Sequence, residues 1–238
     1  KMKKYLIAAV ALLVTSSAMA LDYEPKQGMT WQTFLGLTTS HIKNTPYEGK
    51  VGGTAGFKLE YTLPKAHGTY ISTGVDWIMK GGKFQDAADP ALAEMGVDGK
   101  FTSRLHYIEI PVRAGFHYNL NREFGFFGEF GPYFSVGVGG KNALDIDADG
   151  PGFREVEKAL THKAFKDDQN STHTQFQRWD AGLGFRVGAE YNQHYSLTLG
   201  CDWGITDMYR DSYRDIMHQV GLGKAHNFAF IMALGYRF

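Results

Sequence analysis

Eight segments of the chain alternate apolar side chains with small or polar ones at every second position. The clearest is VGGTAGFKLEYTL at 51–63, where Val, Ala, Phe, Leu and Tyr share one face with a glycine, and Gly, Thr, Lys and Glu fill the other. Alternation with period two is typical of β-strands with one apolar face. The predicted strands are 30–38, 51–63, 69–79, 105–120, 124–138, 179–191, 195–206 and 227–238.

The lengths of the strands and of their connections point to one architecture. Most strands have about 10–15 residues, enough to cross a bilayer when tilted. Connections after even-numbered strands are short and those after odd-numbered strands are long: 64–68, 121–123 and 192–194 against 39–50, 80–100, 139–176 and 207–224. The pattern predicts an all-β fold, an eight-stranded antiparallel up-and-down transmembrane β-barrel with short periplasmic turns and long extracellular loops. The first and last strands should pair, because an open edge is unstable in lipid.

A soluble eight-stranded barrel is the main alternative, since it would bury the apolar face and expose the other. The second face is rich in Gly, Ser and Thr, which suit the crowded interior of a narrow barrel. Aromatic residues also gather at two heights, as expected for girdles at the two membrane interfaces. The predicted girdle residues are Tyr61, Tyr118, Tyr191, Tyr195 and Tyr236 at the periplasmic strand ends and Trp77, Trp179 and Trp203 at the outer ends. Both observations favour the membrane barrel.

The first twenty residues have the features of a secretory signal peptide. A basic start precedes an apolar run from Tyr5 to Val14, and Ala18-Met19-Ala20 forms a small-x-small cleavage pattern. Residues 1–20 are therefore predicted to be cleaved after Ala20, which leaves 21–238 as the barrel domain. Export together with a barrel predicts the bacterial outer membrane as the location, with its lipid as the surrounding partner.

Composition excludes two further classes of protein. Lys and Arg number 25, as do Asp and Glu, and this balance argues against a nucleic-acid partner. The chain has one cysteine, Cys201, so it has no internal disulfide framework.

Several segments resemble a known family. The signal peptide, LHYIEIPVRAGFHYNL (105–120), FGEFGPYFSVGVG (127–139) and the closing LGYRF (234–238) are similar to the outer-membrane β-barrel domain family of PorT-like proteins. The resemblance implies that Phe238 is the terminal aromatic signal read by the barrel-insertion machinery, which would then be a partner. PorT itself is associated with a secretion system, so the resemblance also implies an envelope protein partner.

Strand parity places charged residues of both signs inside the barrel. Paired charges can fill a narrow lumen, whereas unpaired ones are costly there. A structural ion-pair plug is the favoured interpretation, and a gated conduit or small-ligand site is the alternative. The predicted inward residues are Lys58, Glu60, Asp76, Glu109, Arg113, Glu129, Arg178, Asp180, Arg186, Glu190, Asp202 and Arg237.

The third long loop contains a possible calcium site. Asp145, Asp147 and Asp149 alternate in DIDADG, as at the start of a calcium-binding loop. Position twelve of that pattern is Val156, where a bidentate Glu is expected. An acidic, solvated surface loop is the competing interpretation, and no other cofactor is expected. The following residues, 153–165, have helical spacing and predict a short helix over the barrel mouth.

The sequence gives little support for catalysis. Its nine histidines are scattered, and His117 faces the lumen without a serine beside it on its strand. The prediction is therefore a non-enzymatic barrel with a charge-filled, closed lumen and surface loops for interaction or envelope integrity. An accessory subunit of a protein-secretion machine is the alternative, and a narrow porin or a barrel enzyme is less favoured.

Overall fold

The computed structural model describes residues 27–43, 48–84, 99–146, 162–165, 176–208 and 224–238. Eight long strands and one strand of two residues lie in these ranges. They are β1 Gly28–Lys43, β2 Lys50–Thr62, β3 Thr69–Phe84, β4 Gly99–Asn119, β5 Phe124–Ile146, β6 His162–Lys163, β7 Trp179–Tyr191, β8 Tyr195–Gly204 and β9 His226–Arg237. No helix among the described residues is long and apolar enough to cross a membrane.

The eight long strands form a closed antiparallel ring. Each pairs with its neighbours along the chain, and β1 pairs with β9 over a register that runs from Gln32↔Arg237 to Lys43↔His226. The two-residue β6 lies on the far end of β5, where Lys163 pairs with Lys141. The predicted eight-stranded barrel is confirmed. Several strands are longer than predicted, because β3, β4 and β5 extend into residues assigned from the sequence to loops.

The two ends of the barrel differ. At the end called here the turn end, strands are joined by the short segments 63–68, 120–123 and 192–194. Asn192 and Gln193 have φ values of 51° and 59°, so both central residues of this tight turn are left-handed. The opposite end, with the long connections, is called the loop end.

Side chains divide between the two faces of the barrel wall as the period of two requires. Large apolar residues such as Leu35 (69% exposed), Phe134 and Leu234 face outward along the strands. Polar and charged residues such as Glu109, Glu129 and Asp202 are buried inside. A chain folded this way exposes its apolar face and hides its charges, which suits lipid rather than water as its surroundings.

Two expectations about the loop end are wrong. The helix predicted over 153–165 is contradicted where the structure describes that segment, because His162–Lys163 is a strand and Ala164 and Phe165 form a turn. Trp77 does not lie at a strand end, since β3 continues beyond it to Phe84. The predicted signal peptide at 1–20 lies outside the described residues.

Candidate functional site in the barrel interior

Three clusters of ionisable side chains occupy the lumen between the turn end and the loop end. The strands hold these side chains inward because they share the parity of the polar face. The turn-end cluster consists of Glu60, His117, Glu190 and Arg237; the central cluster of Lys58, Asp76, Arg113, Glu129, Arg186 and Asp202; and the loop-end cluster of Lys80, Glu109, Tyr133 and Asp180.

In the turn-end cluster, two carboxylates hold a histidine and an arginine between them. His117 Nε2 lies 2.6 Å from Glu60 Oε1, and its Nδ1 lies 3.3 Å from Glu190 Oε2. Arg237 Nη2 lies 2.6 Å from Glu190 Oε1 and 3.3 Å from Glu60 Oε2. A cavity of about 80 Å³ adjoins the cluster and is lined also by Thr30. The cluster links β2, β4, β7 and β9 across the mouth.

Glu129 gathers the hydrogen bonds of the central cluster. It accepts from Lys58 Nζ at 2.7 Å, from the Tyr70 hydroxyl at 3.0 Å and from Ser72 Oγ at 3.2 Å. Arg113 Nη1 lies 3.5 Å from the other carboxylate oxygen of Glu129. Four donors around one buried carboxylate replace the water that burial removes.

The rest of the central cluster consists of the ion pair between Arg186 and Asp202 and the separate carboxylate of Asp76. Arg186 donates from Nη1 and Nη2 to the two oxygens of Asp202, both at 2.8 Å. Asp76 is 6% exposed and lies opposite Gly56 of β2. A Cβ on Gly56 would lie 2.6 Å from Asp76 Oδ1, so the glycine makes room for this carboxylate.

The loop-end cluster is built around a fully buried lysine. Lys80 Nζ lies 3.2 Å from both Glu109 Oε2 and Asp180 Oδ2, and 4.4 Å from the centroid of the Tyr133 ring. Asp180 also accepts from Thr206 Oγ1 at 2.8 Å and from Asn227 Nδ2 at 3.0 Å. The lysine therefore joins β3 to β4 and to β7 across the interior.

An apolar seal lies between the loop-end cluster and the loop end itself. Phe165 reaches the barrel from the turn after β6, and its ring packs 5.7 Å from that of Tyr107. Gly137 leaves space for it, since a Cβ there would lie 2.4 Å from Phe165 Cζ. Buried members of the apolar seal are Ile42, Leu105, Tyr107, Ala164, Phe165, Phe176, Met208 and Ala225.

Of the twelve predicted interior charges, only Arg178 lies elsewhere. It is exposed and donates from Nη2 to the carbonyl of Phe165 at 2.5 Å. Parity fails at this position because Arg178 precedes the first residue of β7. The structure brings the other eleven together in the three clusters.

The sequence interpretation missed several interior residues. The sequence pattern predicts a loop from Lys80 onward, whereas the structure continues β3 through Lys80, in the inward series of Asp76 and Ile78. The sequence predicts that His117 faces the lumen, and the structure adds its contacts with two carboxylates. The apolar seal could not be predicted from the alternation of strand residues, because Phe165, Phe176 and Met208 lie outside the strands.

The remaining predicted sites have varied positions. The girdle tyrosines Tyr61, Tyr191, Tyr195 and Tyr236 and the tryptophans Trp179 and Trp203 are exposed on the outer face, whereas Tyr118 and Trp77 are half-buried. Phe238 is also exposed, and its backbone N–H donates to the carbonyl of Trp31 at 2.8 Å.

The calcium prediction remains a prediction. Asp145 belongs to β5, where its backbone pairs with Lys100, rather than to a loop. Asp147 and Asp149 lie outside the described residues. Within the ranges that the structure describes, no group of three His, Cys, Asp or Glu residues is arranged to hold a metal ion.

The chain was compared with solved structures, with curated proteins and with models of protein families. Among solved structures, the chain is similar to Ail, the attachment invasion locus protein of Yersinia pestis (13% identity, TM-score 0.40, 90% of this chain and 100% of that one). It is also similar to OprG from Pseudomonas aeruginosa (13% identity, TM-score 0.42, 90% of this chain and 98% of that one). A third similar structure is Neisserial surface protein A (10% identity, TM-score 0.40, 90% of this chain and 100% of that one). No curated protein matches. A family model described as "Outer membrane protein beta-barrel domain" matches residues 16–210, most of the chain. The chain therefore belongs to the outer membrane protein beta-barrel domain family.

Proposed function

We propose that this protein is a non-enzymatic barrel whose closed lumen does not conduct ions and whose wall anchors surface loops for interaction or envelope integrity. The observation that carries the proposal is that charged clusters and an apolar seal follow one another along the lumen. An ion entering from the turn end would meet three charged clusters and then the apolar seal.

The ion pairs close the lumen because they connect distant parts of the wall. Lys58 on β2 contacts Glu129 on β5, and Lys80 on β3 contacts Asp180 on β7. Eight strands leave an interior just wide enough for side chains. Passage would require these pairs to separate inside the protein, where an unpaired charge is strongly unfavourable.

The apolar seal adds a second barrier of a different kind. Phe165, Tyr107 and Leu105 present buried apolar surface on the path between the loop-end cluster and the outside. An apolar constriction excludes water and thereby blocks a hydrated ion without any charge of its own.

The contacts of His117 support a non-enzymatic role. Its two ring nitrogens lie 2.6 and 3.3 Å from the carboxylates of Glu60 and Glu190. Both ring nitrogens therefore face carboxylates rather than the hydroxyl or thiol of a nucleophile.

Conductance tests the proposal directly. Purified protein would be reconstituted in planar bilayers and in liposomes, with insertion verified by protection from protease. We expect no steady single-channel steps, and solute entry no faster than into protein-free liposomes. Steady, well-resolved steps from the wild-type protein would overturn the closed lumen.

The alternative of an accessory subunit of a secretion machine rests on the resemblance of 105–120 and 127–139 to PorT-like proteins. Crosslinking in native outer membranes, followed by purification through a tag, distinguishes the two. Stoichiometric envelope partners together with lost secretion on gene deletion would favour the subunit. A barrel that purifies alone would favour the anchor.

A further inference from the structure

A second cavity lies in the middle of the lumen, next to the central cluster. Its lining includes Thr54, Ser72, Asp76, Arg113 and Arg186. The space open to water molecules is about 40 Å³. At ~10–15 Å³ for each water, it has room for roughly three waters, or for one small ion with part of its hydration shell.

Asp76 differs from the other carboxylates around this cavity. Its side chain is more than nine-tenths buried, yet no described residue makes a hydrogen bond or ion pair with its carboxylate. By contrast, Glu129 has Lys58 at 2.7 Å and Asp202 has Arg186 at 2.8 Å. A buried carboxylate without a direct partner is strongly unfavourable, so its position beside the cavity points to an occupant that compensates its charge.

The charges of the central and loop-end clusters do not balance. Their cations are the four residues Lys58, Lys80, Arg113 and Arg186, and their carboxylates are the five residues Asp76, Glu109, Glu129, Asp180 and Asp202. The difference is one negative charge, and Asp76 is the carboxylate without an ion pair. One positive charge in the cavity would restore neutrality.

We propose that the cavity binds one monovalent alkali cation, held by the carboxylate of Asp76. Thr54 Oγ1 and Ser72 Oγ line the same cavity and donate their protons elsewhere, to the carbonyl of Trp77 and to Glu129. Their lone pairs therefore remain available as neutral oxygen ligands. A divalent ion fits poorly, because Ca²⁺ takes six to eight oxygen ligands and two guanidinium groups line the cavity.

An ion would reach this cavity from the turn end. Lys58 lines the central cavity and Glu60 lines the turn-end cavity, and their ion pair of 3.2 Å lies between the two spaces. Displacement of Lys58 would join them, and the entering cation would itself compensate the carboxylates of Glu60 and Glu129 that the lysine leaves. The route avoids the apolar seal, so the proposal is independent of conduction through the barrel.

The first test measures thermal stability against the identity of the cation. Refolded barrel would be melted in NaCl, KCl or choline chloride at constant ionic strength, because choline is too large for the cavity. Binding to the folded state raises Tm by an amount that grows with the logarithm of the cation concentration above Kd, and well above Kd we expect Tm to be about 2–4 °C or more higher in Na⁺ or K⁺ than in choline. Asp76→Asn should abolish this difference, while Glu123→Gln, which removes a charge from an exposed turn, should retain it.

Each other outcome contradicts the proposal. Equal Tm values in all three salts would show that the cavity holds no alkali cation. If Tm then rose at lower pH in the wild type but not in Asp76→Asn, a proton on Asp76 would supply the missing charge instead. If Asp76→Asn fails to fold, ²³Na relaxation of the wild-type protein decides: line broadening that K⁺ reverses and choline does not is expected, and its absence overturns the site.

Discussion

Arg186 and Asp202 form a two-pronged ion pair between neighbouring strands, with both hydrogen bonds at 2.8 Å and both side chains buried. Arg186 Nη1 also donates to the carbonyls of Phe185 and Cys201. The guanidinium is thereby fixed against β7 and β8 at once.

Removing one partner of this pair should cost more than removing both. Asp202→Asn leaves the guanidinium buried beside a neutral amide, and we expect a loss of about 3–5 kcal/mol in the free energy of unfolding. The double variant Arg186→Met with Asp202→Leu should be more stable than Asp202→Asn, because no lone charge remains. Urea unfolding in lipid vesicles measures both, with Glu123→Gln as an exposed control. Equal losses in the single and double variants would contradict the expectation.

Gly200 makes room for the same arginine. A Cβ there would lie 2.2 Å from Arg186 Cδ and 2.5 Å from the carbonyl oxygen of Phe185. Gly200→Ala should therefore destabilise the barrel by about 1–3 kcal/mol through overpacking. Gly139→Ala is the matched control, since nothing lies within 4 Å of a Cβ at Gly139. Similar unfolding midpoints for the two variants would mean that the contact at Gly200 relaxes without cost.

The hydrogen bonds to Glu129 should contribute unequally. Tyr70→Phe removes one neutral donor, while Lys58 and Ser72 remain bonded, so we expect a loss of about 1 kcal/mol. Glu129→Gln removes the charge that Lys58 and Arg113 share, and it should lower the free energy of unfolding clearly more than Tyr70→Phe does. Unfolding of both variants under identical conditions tests the order. A larger loss from Tyr70→Phe would show that the tyrosine, not the carboxylate, holds the cluster.

Phe165 should stabilise the loop end although it belongs to no long strand. Phe165→Ala removes a buried ring, and we expect the free energy of unfolding to fall by about 3–5 kcal/mol or the loop end to open locally. Amide hydrogen exchange at Gly137 and Ala164, which bond to neighbouring carbonyls, should then quicken. Phe134→Ala is the control, because that ring is 62% exposed on the outer face. Unchanged exchange in Phe165→Ala would mean that the seal does not depend on this ring.

Phe238 should matter for assembly in the cell and little for the folded barrel. Its contacts are a backbone hydrogen bond to Trp31 and a ring contact of 5.1 Å with Tyr236. We expect Phe238→Ala to refold in detergent almost as the wild type does, but to accumulate less in the outer membrane. A folded-to-unfolded ratio from cell fractions, compared with refolding yield in vitro, separates the two effects. Equal accumulation of both forms would remove Phe238 as an assembly signal.

The strands and the inward charges followed from the sequence because both depend on one short-range rule, the alternation of faces. That rule predicted Glu60, Glu129 and Asp202 inside the barrel without any knowledge of their partners. It stopped at Lys80 because the following Gly81-Gly82 reads as a loop signal, whereas the structure continues β3 through both glycines. Which charges pair depends on the register around the ring, which no local pattern records.

The positions of residues outside the strands could not be predicted from the alternation either. Phe165 has a polar neighbourhood in the sequence and a buried position in the structure, because the turn after β6 places it over Gly137. Arg178 shares the parity of Asp180 but precedes the strand, and its side chain is exposed and bonded to the carbonyl of Phe165. Tertiary contacts alone decide both positions.

The pairing of β1 with β9 imposes an order of events on the making of this molecule. Among the described strands, the one synthesised first finds its second neighbour only in the one synthesised last. Until then, both carry unpaired backbone groups that hydrocarbon does not tolerate. A ribosome cannot deliver such a wall into a bilayer strand by strand, as it can a series of helices. The wall is closed only when β1 and β9 have met, so all eight long strands must be available before the barrel is stable in lipid.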